Sequence, residues 1–316
     1  MPGPTDTPPV KPENLASRIE GHHAAHLHCH VLIDPLAVAG KSDHALLAHL
    51  REALGEAAFT RVHRADLAHA PHLHPVLACL ASPGAVPSRE LLGSTARAAY
   101  RGLHQHRRYL SGWLFSQATS ATVAAHLTAM CRIPDAKRAF SFYPVYEPVR
   151  LELLAATFKQ VEHGPWWPIN NWLFLSSGGR LAHLKGQGGQ RHALPEPAQR
   201  IQEDVALIER VLAVWRVLRA GSQDASQCQM PPFAAVRVSN HIDDARGLGL
   251  SVEEDITVFA LHHLCIHPRL NTVAAVRNMV NAAVNDHRPL APMLAHYCEA
   301  HWRRLIDPLP KNERRL

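Results

Sequence analysis

Two groups of histidines are the residues of this chain best placed to do chemistry. Residues 22–30 read HHAAHLHCH, and on an extended strand His26, His28 and His30 project from one face. Two such imidazoles and a distant third ligand can hold zinc for hydrolytic work. In the second group His263 and His267 stand four apart on a predicted helix, beside His262 and Cys265. A zinc-protease helix carries Glu after the first His; here Leu264 holds that place, and Pro268 ends the helix at His267. A helix C-terminus favours cationic His in any case. With no carboxylate at supporting spacing, the first group reads as the outward face of a half-exposed strand and the second as a helix end. No metal ligand and no cofactor is assigned on this reading. A His-cluster metal-dependent hydrolase is kept as the alternative function.

Nucleophile motifs do not complete. Ser111-Gly112 and Ser177-Gly178 lack the flanks of G-x-S-x-G, and residues 186–189 (GQGG) have no following Lys-Ser/Thr. No catalytic residue is assigned, and the chain reads as a non-enzyme.

The elements that must position these residues follow from periodicity. Residues 26–34 alternate, with Leu27, Cys29, Val31 and Ile33 on one side and the histidines on the other, the pattern of a strand. Residues 72–80, 112–116 and 137–143 read as further strands, and 164–186 as a hairpin turning at residues 176–179. Helices are predicted over 43–54, 89–107, 121–130 with Ser120 as N-cap, and from Glu147 onward. After residue 190 the texture becomes helical. Ile201, Val205, Ile208, Leu212 and Trp215 mark one long amphipathic helix, Ser251 and Glu254 a capping box, Asn271 a helix cap, and residues 290–305 a final helix. The expected architecture is an α/β lobe over 21–190, a mixed sheet with flanking helices, followed by an all-α lobe over 191–316. Residues 1–20, opening MPGPTDTPPVKPEN, read as a disordered tail without a secretory signal.

Composition narrows the partners. The chain has 316 residues, 47% hydrophobic, with a mean hydropathy of −0.14. No apolar run reaches the ~20 residues a membrane span needs, so no membrane partner is expected. The 33 Lys and Arg residues and the net charge of +6 are spread rather than striped, so no nucleic acid is expected either. The six cysteines are scattered without a CxxC pair, as free buried thiols in a reducing cytoplasm would be. With 24 histidines the net charge must climb steeply in mild acid.

Aromatic residues crowd residues 140–172. Tyr and Trp are enriched where one protein grips another. Phe140 and Phe142 read as core, whereas Trp166 and Trp167, flanked by Pro165 and Pro168, read as an exposed rim.

The segments YLSGWLFSQ, TVAAHLTAM and AFSFYPVYEPVRLELL, in this order, resemble the cytoplasmic effector adaptors, or effector chaperones, of bacterial type VI secretion. Gly112-Trp113-Leu114, His126-Leu127 and Phe142-Tyr143 stand at the family's strand, helix and strand, and Glu147-Pro148-Val149-Arg150-Leu151 where the family carries Asp-Pro-Arg-Val-Leu. Residues 30–34 are similar to its first strand ending in Asp, and Ala70-Pro71-His72-Leu73 to its Ala-Pro-Tyr-Leu element. Ser141 replaces the family's Arg, and Pro144, Val145 and Tyr146 are inserted before the acidic-Pro step. The resemblance implies a non-enzymatic adaptor that binds one cognate secreted toxin and helps mount it on the VgrG spike. The residues expected to contact partners are Tyr143, Tyr146, Glu147, Arg150, Trp166 and Trp167.

Overall fold

All seven residues of Leu110–Ser116 (β4) are buried, because this strand lies inside a sheet covered on both faces. That is why Trp113, Leu114 and Phe115 stand as consecutive large apolar residues and not in alternation. The computed structural model describes residues 12–37, 40–134, 140–158, 163–188, 194–221 and 229–310. The chain divides into two units, one ending at Glu203 and the other beginning at Asp204.

The N-terminal unit is built on a six-stranded sheet in the order β2-β3-β1-β4-β7-β8. Its strands are His28–Ile33 (β1), Phe59–Arg61 (β2), Val76–Ala81 (β3), β4, Asn171–Leu175 (β7) and Leu181–Lys185 (β8). Every ladder is antiparallel, where a mixed sheet was expected. The predicted hairpin at 164–186 is β7–β8, turning through Ser176–Gly179 with Gly179 at positive φ. Arg132–Pro134 (β5) and Phe140–Phe142 (β6) pair separately; the predicted strand at 137–143 falls partly outside the described residues.

Pro12–Glu20 (α1), Lys41–Leu54 (α2) and Arg89–Arg101 (α3) close one face of the sheet. Leu15, Ile19, Leu50 and Leu92 pack there with Cys29, Val31, Trp113 and Phe115. The tail prediction is corrected at this point. Residues 12–20 are helical because Leu15 and Ile19, four apart, both find buried places on the sheet-helix layer. Residues 1–11 lie outside the described residues. Ser120–Met130 (α4) and Pro148–Ala156 (α5) close the other face, where Val123, Leu127, Leu151 and Leu154 meet Leu32, Leu77, Leu114 and Trp172. Thr119, not Ser120, caps α4 by accepting the Thr122 N–H at 3.3 Å. Pro197–Glu203 (α6) also belongs to this unit, beyond the expected boundary at 190. Ala198 packs into the second core, and Gln202 Nε2 donates to the Arg150 carbonyl at 3.1 Å.

Gly112 sits where β4 bulges against β1, between the Leu32–Gly112 and Ile33–Leu110 pairings. Its φ is +155°, and a Cβ there would stand 2.5 Å from the Leu173 carbonyl oxygen on β7. Gly112→Ala is therefore expected to destabilise the protein by about 1–3 kcal/mol, since a backbone atom cannot rotate away as a side chain can. Urea denaturation checks this.

The C-terminal unit is helical: Val205–Ala220 (α7), Ala234–Gly247 (α8), Glu253–Cys265 (α9), Ala274–Asn285 (α10), Leu290–Ala295 (α11) and Glu299–Ile306 (α12). The expected long helix from Ile201 breaks at Asp204, whose carboxylate is engaged by both terminal nitrogens of Arg246 at 2.5 and 2.8 Å. The predicted Ser251–Glu254 box does not form; Val252 precedes α9 without a side-chain cap. Asp255 instead accepts the Leu290 N–H at 2.7 Å and so caps α11. Asn271 lies before α10 and gives its N–H to His263. The predicted final helix splits into α11 and α12.

Candidate functional site

The six residues expected to touch partners divide by burial. Trp167 is 40% exposed, whereas Trp166 and Tyr146 are fully buried. Trp166 meets Phe158 and Trp172 edge-on, with ring centroids 5.8 and 6.5 Å away, so it is core and not rim. Phe140 reverses its prediction in the other direction: it is 59% exposed, beneath the Arg132 guanidinium. Glu147, Arg150 and Tyr143 hold α5 to α6. Arg150 bonds Glu147 Oε2 at 3.2 Å and the Gln202 carbonyl at 3.0 Å, and its guanidinium stacks 5.9 Å over the Tyr143 ring. The Tyr143 hydroxyl donates to Glu203 at 3.3 Å. Both groups of Arg150 and Glu147 are thus spent inside the unit, and of the six only Trp167 presents a large free surface.

Tyr146 belongs to a buried polar network that sequence spacing did not indicate. Arg64, 5% exposed, donates to the Tyr146 hydroxyl at 2.9 Å and to Asp66 at 2.7 Å, and lies 3.8 Å from Asp34, which is 1% exposed. Asp34 also accepts the Leu36 N–H at 3.0 Å. Burial raises the Asp34 pKa, against the pull of the Leu36 N–H and Arg64. The three partners come from residues 34, 64 and 146, so only the fold could assemble them. Tyr146 supplies the hydroxyl between Arg64 and Asp34.

The histidines also rearrange. His30 is fully buried, not half-exposed, since α4 covers that face of the sheet. Its Nε2 lies 3.0 Å from Ser120 Oγ. Burial, then the neighbouring His28, holds its pKa down to about 4. His26 is exposed and stands apart, while Cys79 of β3 joins His28 and His30. Potential ligand atoms of these three all lie within 4.8 Å of one another. Among the described residues this is the only group of three or more His, Cys, Asp or Glu with such spacing. In the second histidine group His263 is buried. His263 stacks on Phe259 at 3.8 Å, places Nδ1 2.8 Å from the Phe259 carbonyl and accepts the Asn271 N–H at Nε2. Ser177 is structural: its N–H and hydroxyl both donate to buried Glu152, at 2.6 and 2.8 Å.

A further surface appears on α7. Its inner face buries Ile208, Val211, Leu212 and Trp215, as the periodicity predicts. Its outer face carries Ala213, Val214, Val217 and Leu218, with Val217 72% and Leu218 53% exposed. A solvent-facing helix surface is ordinarily polar, and among the described residues nothing covers this apolar stripe.

Among the described residues no helix is long and apolar enough to cross a membrane. No family model matches the chain, and no curated protein and no solved structure matches it either.

Proposed function

We propose that this protein is a non-enzymatic adaptor that binds a cognate secreted toxin in the cytoplasm and assists its loading onto the VgrG spike of a type VI secretion system. The observation that carries the binding role is the apolar outer face of α7, where Val214, Val217 and Leu218 lie one turn apart. Such an i, i+3, i+4 set is how a helix engages an apolar surface of another protein. The ordered resemblance across residues 110–154 supplies the secretion assignment, and exposed Trp167 adds a second anchor of the type enriched at interfaces. A metal-dependent hydrolase is the second reading, favoured by the closeness of His28, His30 and Cys79.

Co-expression with the toxin encoded beside this gene is expected to yield a stable complex. Val217→Asp combined with Leu218→Asp should weaken it by roughly tenfold or more, since each side chain buries apolar area worth about 1.5–3 kcal/mol when covered. Both positions are exposed, so circular dichroism and melting temperature should be unchanged. Capture of neither the toxin nor the spike protein would sink the reading.

A further inference from the structure

We infer that His28, His30 and Cys79 form a zinc site on the α4-covered face of the sheet. This inference stands apart from the adaptor reading and survives its failure.

The placement follows from register. β1 and β3 run antiparallel with His30 opposite Cys79, and the strand period of two puts His28 on the same face as His30. A pair directly opposite in such a ladder has its Cβ atoms about 4.5–5.5 Å apart, close enough to share an ion. The side chains have already converged. His28 Nδ1 is 3.9 Å from Cys79 Sγ, and the two imidazoles lie nearly parallel with centroids 5.5 Å apart. Around a tetrahedral zinc, with bonds of about 2.0–2.1 Å to nitrogen and 2.3 Å to sulfur, an N···S separation is about 3.6 Å. All three ligand atoms lie within 4.8 Å of one another, a gap that side-chain rotation would have to close.

The donor set rules out the hard cations. Two imidazoles and a thiolate suit zinc and exclude magnesium and calcium, which take oxygen ligands. As the Zn–S bond forms, the thiol proton leaves to solvent. Surrounding hydroxyls are of the kind that orient such ligands: Ser120 Oγ at His30, and the Ser82 and Ser120 hydroxyls at the Cys79 sulfur. His28 and Cys79 are both partly exposed, so the site is reached from solvent. The nearest rival, Cys298 with His301 at 3.2 Å, brings only two ligands.

The test uses untagged full-length protein, stripped with chelator and titrated with Co²⁺ and then Zn²⁺. One equivalent of Co²⁺ is expected to produce a thiolate-to-cobalt charge-transfer band with the d–d absorption of four-coordinate cobalt. Zn²⁺ should displace it and raise the melting temperature. Cys79→Ser should remove the charge-transfer band, and His28→Gln should weaken affinity by roughly tenfold or more. If Cys79→Ser fails to fold, partly exposed His28→Gln carries the test alone. No band at one equivalent, a band that survives Cys79→Ser, or unchanged affinity in His28→Gln each overturns the assignment.

Discussion

Replacing Arg64 by Met is expected to lower the stability of the N-terminal unit by about 3–5 kcal/mol, the cost of removing one partner of a buried charge pair. Arg64 and Asp34 are 5% and 1% exposed, so water cannot replace the lost guanidinium. The Tyr146 hydroxyl, 2.9 Å from Arg64 and 3.5 Å from Asp34, would keep only the carboxylate. Asp34 would then have to take up a proton or remain an uncompensated charge. Asp34→Asn in the Arg64→Met background removes that charge and should restore at least half of the loss. Urea denaturation of the two variants decides the matter. A loss below about 1 kcal/mol in Arg64→Met, or no recovery in the double variant, would show that the network is not coupled as its geometry implies.

Acidification from about pH 7 to pH 5 is expected to destabilise both units. His30 and His183 in the first unit and His263 in the second have pKa values held down to about 4, in each case first by burial. Unfolded, each takes a proton near pH 6.5. The unfolded chain therefore binds more protons throughout the window from about 6.5 down to about 4, and stability falls with pH across it. Three such protons correspond to at most about 4 kcal/mol per pH unit, shared between the units. His22, His126 and His262 are shifted in the same direction, again first by burial. Asp34 opposes them: its raised pKa makes its protonation favour the fold at the acid end. Denaturation midpoints measured with chelator present at several pH values across this window test the claim. A midpoint that does not move between about pH 7 and pH 5 would refute it.

Which histidines do this was not legible from their number. All 24 look alike in sequence, and His26, His28 and His30 share one strand face. Burial separates them: His26 lies in water, whereas His30 lies under α4. The residues expected to bind partners divide for the same reason. Trp166 and Trp167 are adjacent in sequence, yet one fills the core against Trp172 and the other is 40% exposed. Asp255 of α9 caps the start of α11 from 35 residues away, a pairing that no local cap pattern indicates.

By itself the sequence determined the central strands β1, β3 and β4, most of the helices that flank them, the hairpin at β7–β8, the apolar face of β1, and the change from an α/β lobe to a helical one. Those features rest on periodicity and turn chemistry, which act between residues a few positions apart. The tertiary structure alone decided the antiparallel strand order, the Arg64–Asp34–Tyr146 network, the apolar outer face of α7 and the meeting of Cys79 with His28 and His30. Each of these depends on which surfaces cover one another, and on contacts such as that between residues 30 and 79, which no local rule can pair because strand register and helix packing set their distance.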